Sequence, residues 1–237
     1  MKDNIYNKLQ TNLIDFKFDK TVANVFEDMV NRSVPGYQTM LQMMPLFAQK
    51  YGTNNSNFYD LGCSLGAVSL NLNLGITKDN INIIAIDNAK SMVEKCRINT
   101  KKLKNIIVLE EDIQNSTITN ASIVVLNLTL QFINPDKRLD LLKKIYQGLN
   151  KGGILLLSEK IHFSNPQQTL QNDLQLNFKR ANGYSELEIA QKRSALENTL
   201  ITDDENTHIS RLKQAGFSDV FCYFQCFNFM SFIAIKN

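Results

Sequence analysis

Five short apolar runs, each parted from the next by an amphipathic stretch, leave this chain few folds to choose from. They are Asn57–Leu61, "INIIAID" from Ile81 to Asp87, "NIIVLEED" from Asn105 to Asp112, Ala121–Leu128 and "ILLLSEK" from Ile154 to Lys160. A strand with one wet face alternates apolar and polar residues; these do not, so each is expected to be covered on both faces. The segments between them carry helix signals. Ser91 and Glu94 stand at capping-box spacing in "NAKSMVEKCRINTKK". In "NPDKRLDLLKKIYQGLNKGG" the cap is Asn134, Pro135 opens the first turn and Gly152-Gly153 supply the stop. Strands alternating with helices in this way build a parallel sheet layered by helices. The expected fold is α/β, a doubly wound sheet.

The flanks add to that frame. Val22, Val25, Phe26, Met29 and Val30 recur at helical spacing before "VPGY" breaks the pattern, and "YQTMLQMMPLFAQKY" reads as a second helix, bent or restarted at Pro45. Together they form an N-terminal helical cap over about 18–51. From Pro166 to Leu200 the chain is polar, helical in spacing and without a strand. Asn182-Gly183 ends one helix there, and Ser185 with Glu188 caps the next. Inserted after the fifth strand, this pair falls at the rim where ligands of such sheets bind, as a lid over about 166–200. The terminal "DVFCYFQCFNFMSFIAIKN" reads as two strands meeting near Cys226–Asn228, an ending unusual for a dinucleotide-binding sheet.

Composition excludes several classes. At 237 residues and 43% hydrophobic the chain can bury one substantial core, so 1–237 is read as a single domain. Its net charge of +3 comes from 26 basic and 23 acidic residues without any Lys/Arg block, which argues against a nucleic-acid arm. The apolar runs Ile123–Leu126, Ile154–Leu157 and Phe229–Ile235 are too short to cross a bilayer. "MKDNIYNKLQTN" lacks the apolar centre of a signal peptide, so a cytoplasmic protein is expected. Cys63, Cys96, Cys222 and Cys226 lack the paired spacing with histidine that zinc demands, and are read as buried reduced thiols, with no metal. His208 is read as a helix-surface residue between a Thr202/Glu205 cap and a stop at Gly216.

"NFYDLGCSLGAVSLNL" is where chemistry enters. Gly62 follows the first strand and permits close approach of a ligand, while Asp60 can fix the turn or meet a cation. Gly62, Ser64 and Gly66 match a dinucleotide fingerprint only loosely, since Ser64 and Leu65 stand where a pyrophosphate would press. Asp87, 25 residues beyond Gly62, ends the second strand where a carboxylate accepts from ribose hydroxyls. Asp112 ends the third strand, able to accept from an adenine amino group while Ile113 packs on the ring. Each aspartate has a plainer reading as a turn former. Their joint placement describes an adenosine pocket.

The stretches "RSVPGY", "YDLGCSLG", "IIAIDN", "NLTLQF", "LSEK", "FKRANGYSELEIAQKRS" and "FQCFNF" resemble the carboxy-S-adenosyl-L-methionine synthase family, a branch of the class I S-adenosylmethionine-dependent methyltransferase fold. The likeness runs from about Phe18 to Ile235. "RSVPGY" and "KRANGYSELEIAQKRS" carry it, because the first two strand motifs are common to many methyltransferases. Glu111 and Met230 depart from the pattern, replacing a small residue and a glycine.

The resemblance implies a reaction in which prephenate gives up a carboxyl carbon to the sulfonium methyl of S-adenosylmethionine. The products are carboxy-S-adenosyl-L-methionine and phenylpyruvate. A separate tRNA carboxymethyltransferase then uses the former to build uridine-5-oxyacetic acid at wobble positions, so this chain need not bind RNA itself. Contact with that downstream enzyme is left open. By the same resemblance, Gly62, Cys63, Ser64, Asp87, Asn88, Asp112 and Ile113 surround the methionyl-adenosine portion, Tyr37 and Asn127 fall at the product pocket, and Arg193 meets the product carboxylate. A homodimer is implied, and the sequence leaves open whether Arg193 acts in its own chain or in the neighbour's site. The residues alone also allow an ordinary methyltransferase of a small molecule or RNA, or a silent S-adenosylmethionine-binding protein.

Overall fold

Along Asn57–Leu61 (β1) alternate side chains enter different cores: Phe58 joins one apolar cluster, Tyr59 and Leu61 the other. Ala121–Asn127 (β4) repeats this, with Ile123 and Val125 on the first side and Val124 and Leu126 on the second. Sheet residues of period two therefore have helices above and below, which is why these strands show no polar alternation. A computed structural model describes residues 1–9 and 16–237; the end of the stretch read for a leader, residues 10–12, lies outside them.

The remaining strands are Asn82–Asp87 (β2), Ile106–Glu110 (β3), Leu149–Lys160 (β5), Asp219–Cys226 (β6) and Phe229–Ile235 (β7). Their order is β3-β2-β1-β4-β5-β7-β6, parallel from β3 to β5. β7 runs antiparallel between β5 and β6. Helices Lys20–Ser33 (α1), Tyr37–Tyr51 (α2) and Ala67–Leu74 (α3) precede β2, and Lys90–Thr100 (α4) follows it. Pro135–Gly148 (α5), Gln167–Ala181 (α6), Glu186–Leu196 (α7) and Glu205–Ala215 (α8) complete the set. Met40, Leu41 and Met44 of α2 and Val68 and Leu72 of α3 cover one face. Leu141, Leu142 and Ile145 of α5 and Leu212 of α8 cover the other.

Several local expectations are corrected. α2 continues through Pro45 without restarting, its buried Met40, Leu41, Met44 and Ala48 outweighing the lost N–H. α5 stops at Gly148, and Gly152-Gly153 lie inside β5, where Gly152 N–H donates to the Lys236 carbonyl. Ser91 is not a cap: α4 begins after Ala89, whose N–H donates to Asp87 Oδ1 at 2.9 Å. The α8 cap is Asp204, one of whose carboxylate oxygens accepts from Thr207 N–H at 2.7 Å, in place of Thr202. β3 is an edge strand with Ile107 and Leu109 partly in solvent. Cys63 and Cys96 are buried free thiols, whereas Cys222 is exposed. His208 is buried against Phe232, with both ring nitrogens unpartnered among the described residues, and burial lowers its pKa to about 4, so it is neutral. The capping box of Ser185 and Glu188 forms as expected, as does the terminal hairpin.

Candidate active site

The carboxyl ends of β1, β2, β4 and β5 open into one cavity of about 410 Å³, roofed by α1, α6 and α7. The sheet builds its floor. Gly62 adopts φ +80°, and a Cβ there would collide with the Thr129 side chain, so only glycine lets the β1 turn pass the β4 loop. The N–H groups of Gly62 and Cys63 both donate to the Ile86 carbonyl, at 2.8 and 3.0 Å. Asp60 faces inward rather than toward a ligand. Its Oδ2 accepts from the N–H and hydroxyl of Ser69, fastening α3 to the end of β1, and burial raises its pKa to about 6.

Asp87 is the pivot of the turn. Its Oδ2 accepts from Ser64 N–H and its Oδ1 from Ala89 N–H, both at 2.9 Å, so one carboxylate ties the β1 loop to the α4 start. Burial raises its pKa although these N–H groups oppose the shift. About four lone-pair directions exist on a carboxylate, leaving room for a ligand's hydroxyls. Asn88 lines the cavity beside it. Asp112 lies in the turn beyond β3, accepting from Gln114 N–H at 2.8 Å, and buried Ile113 follows at the cavity wall. At the end of β4, Asn127 keeps a buried Oδ1 with no partner among the described residues. An orphaned buried acceptor inside a cavity marks a place for a ligand donor.

Cys63 is not a nucleophile: the neighbouring Cys96 thiol, 3.9 Å away, and burial push its pKa well up. Tyr37 opens α2 after Gly36 and reaches the cavity from a buried position, its hydroxyl kept protonated by burial and by the Asp60 and Glu27 charges. Beneath the β4 loop, Glu159 accepts from the N–H groups of Thr129, Leu130 and Gln131 at 3.1, 2.7 and 3.1 Å.

Nine of the ten residues expected at the site line this cavity: Tyr37, Gly62, Cys63, Ser64, Asp87, Asn88, Asp112, Ile113 and Asn127. Arg193 does not. It is exposed on α7, outside the lining of its own chain's cavity, though its charge is felt by Lys160 and Lys179. Lys192, one residue earlier, does line it. Lys160 and Lys179 were not expected either, yet the rule that selected Asp87, a functional group at the carboxyl end of a strand, applies equally to Lys160. Asp3 and Tyr6, before the stretch that carries the resemblance, are buried, and Asp3 accepts from the Tyr184 hydroxyl at 2.6 Å.

Comparison with known proteins decides the family. A methyltransferase-domain model matches residues 58–153. Carboxy-S-adenosyl-L-methionine synthase of Ruthia magnifica subsp. Calyptogena magnifica is 52% identical over 238 residues, covering 100% of both chains. The enzyme of the same name from Photorhabdus laumondii subsp. laumondii is 51% identical, covering 100% of this chain and 95% of its own. The chain belongs to the carboxy-S-adenosyl-L-methionine synthase family.

Among solved structures, an O-methyltransferase family protein from Burkholderia thailandensis superposes with TM-score 0.65 at 14% identity, over 92% of this chain and 60% of that one. Human N-acetylserotonin methyltransferase in complex with S-adenosylmethionine gives 0.62 at 15%, over 92% and 55%. At such identities the likeness is one of fold. The sheet is that of the class I methyltransferases, and the cavity at its carboxyl end presents an acceptor at Asp87, an orphaned acceptor at Asn127 and a glycine turn at Gly62.

Proposed function

We propose that the protein converts S-adenosylmethionine and prephenate to carboxy-S-adenosyl-L-methionine and phenylpyruvate. The observation that carries this reading is the charge inside one cavity. Strand order sets Asp87, at the end of β2, three strand spacings from Lys160, at the end of β5, about 14 Å across the sheet. A nucleoside half held by Asp87 therefore leaves a second half lined by Lys160, Lys179 and Lys192. Transfer of a bare methyl group has no use for three ammonium groups. A reaction that brings in carboxylates and leaves one on the product does.

The chemistry balances without a strong protein base. Aromatisation of prephenate breaks the bond to its ring carboxylate, releasing carbon dioxide, and expels the ring hydroxyl. The sulfonium methyl loses a proton, which leaves with that hydroxyl as water, and its carbon bonds to the carbon dioxide. Within the chain, Asp87, Asn88, Asp112 and Ile113 seat the adenosine, Gly62, Cys63 and Ser64 supply backbone beside the methionyl part, and Tyr37 and Asn127 line the product pocket. Arg193 pairs with the product carboxylate as a planar fork, from its own chain or across a homodimer. A downstream tRNA carboxymethyltransferase in the cytoplasm consumes the product for wobble-uridine modification. This chain need not bind the RNA itself.

A buried zwitterionic product held by charge leaves slowly, so it is expected to survive purification. Mass spectrometry of the extracted ligand should show a compound heavier than S-adenosylmethionine by one carbon dioxide unit. Recovery of only S-adenosylmethionine or S-adenosylhomocysteine from protein made in prephenate-producing cells would favour plain methyl transfer.

A further inference from the structure

The cation-lined half of the cavity is built from three elements. Lys160 ends β5, Lys179 lies in the last turn of α6, and Lys192 lies on α7. Their surroundings differ in one respect. Lys192 Nζ donates to Ser33 Oγ at 2.9 Å and Tyr184 Oη at 3.3 Å and stands 3.7 Å from Asp3, so its charge is already met. Among the described residues, neither Lys160 Nζ nor Lys179 Nζ makes a hydrogen bond or ion pair. Gln175, also in the lining, has its Oε1 occupied by Asn228 Nδ2 at 2.9 Å, and Gln131 Oε1 accepts from Lys160 N–H. The side-chain oxygens of Gln175 and Gln131 are thus engaged, whereas Asn228 Oδ1 and, at the end of β4, Asn127 Oδ1 have no partner among the described residues, and neither do the Lys160 and Lys179 ammonium groups.

Ammonium groups gathered away from water repel one another and favour their neutral forms unless an anion joins them. Lys179 feels Lys160, Lys192 and Arg193, and burial together with these neighbours lowers it to about 7, while burial and Arg193 lower Lys160 to about 8. The wall carboxylates do not relieve this: Asp87 and Asp112 are bonded to turn N–H groups, and Glu27 is exposed on α1 without an ion pair to either lysine. A cavity of about 410 Å³ takes a small molecule rather than a polynucleotide.

We infer that Lys160 and Lys179 form the subsite that seats the carboxylates of the carboxyl donor, a small dicarboxylate, with Lys192 as a fixed charge behind them. This rests on the reaction proposed above and assigns its second substrate to named groups. Arg193 is left to the product carboxylate, and the two lysines to the incoming donor.

The test uses the full chain and the variants Lys160→Met, Lys179→Met and Lys179→Arg. Calorimetry measures affinity for S-adenosylmethionine, for prephenate and its isomer chorismate, for malate as a plain dicarboxylate, and for a short RNA. Each Met variant should weaken prephenate by about 10- to 100-fold while S-adenosylmethionine changes less than about threefold, and Lys179→Arg should recover most of the loss. Both Met variants should melt at higher temperature than the parent, since a buried charge is exchanged for an apolar chain of like length, which separates lost contacts from lost folding. If the parent ignores prephenate but binds another dicarboxylate through the same lysines, the subsite stands and the proposed donor falls. Prephenate turnover with unchanged KM in both Met variants overturns the subsite. So does a parent that binds no dicarboxylate, or one that binds RNA through these lysines.

Discussion

Asp87 does two jobs with one carboxylate: two peptide N–H groups hold it, and the remaining lone pairs face the cavity. Asp87→Ala should therefore weaken S-adenosylmethionine and its carboxylated form together, by about 10- to 100-fold, with Asp87→Asn falling between. Titration calorimetry showing either variant at parental affinity for both would remove Asp87 from the nucleoside site. The lysines give a prediction in pH. Lys160 and Lys179 titrate at about 8 and about 7 in the folded chain, below the ordinary 10.5, so between these values the unfolded chain binds more protons. Stability of the empty protein should rise as pH increases through that window. Dicarboxylate affinity should fall over it, because the anion needs the ammonium forms that are being lost. Thermal melts and titrations run in parallel from pH 6.5 to about 9.5 read these opposed slopes; parallel slopes would contradict the assignment. Asp87 and Asp112 were legible in the sequence because one rule, function at strand carboxyl ends, selects them. Lys160 obeys the same rule but was hidden by its ordinary appearance as a strand-ending lysine.

At the level of elements, strands buried on both faces were readable from their unbroken apolar runs, whereas β5 begins at Leu149, ahead of its run at Ile154, and the edge strand β3 ends at Glu110, short of Asp112. β1 spans Asn57–Leu61 as expected, and β4 ends one residue early, where Leu128 turns to φ +61°. Helix starts were less legible. Ser91 has the right spacing for a cap, but Asp87 reaches the start of α4 from the preceding strand, a contact that spacing within the helix does not reveal. The same limit hid Glu159, whose three acceptances hold the Thr129–Gln131 turn over the cavity floor. Glu159→Gln keeps only one acceptor oxygen and places an amide N–H₂ against N–H donors. We expect it to cost about 1–3 kcal/mol in urea unfolding, and to raise KM for S-adenosylmethionine because Asn127 and Thr129 lose their register. Unchanged stability would mean that the turn is held by β4 and β5 pairing alone.

Across the whole molecule, the alternation of strands and helices disclosed a doubly wound sheet, and the last nineteen residues disclosed its antiparallel edge. What the sequence could not display is convergence: residues of β5, α6 and α7, spread from Lys160 to Lys192, meet at one end of a cavity whose other end is set by β2. Arg193 stands outside that lining, so its role separates carboxyl from methyl chemistry most clearly through ligand preference. Arg193→Ala should weaken carboxy-S-adenosyl-L-methionine far more than S-adenosylmethionine, and Arg193→Lys should recover part of the loss, a point charge being a poorer match than a fork. Equal weakening of both would make Arg193 structural. Transfer of a carboxyl carbon can be followed directly with an isotope. Protein freed of bound ligand is incubated with S-adenosylmethionine and prephenate carrying carbon-13 in its ring carboxylate, and both products are weighed by mass spectrometry. Carboxyl transfer puts the label in a carboxyl group on the former methyl carbon of S-adenosylmethionine, with unlabelled phenylpyruvate formed in equal amount. Label recovered only as bicarbonate, with the sulfonium methyl unchanged or passed to another acceptor, would contradict it.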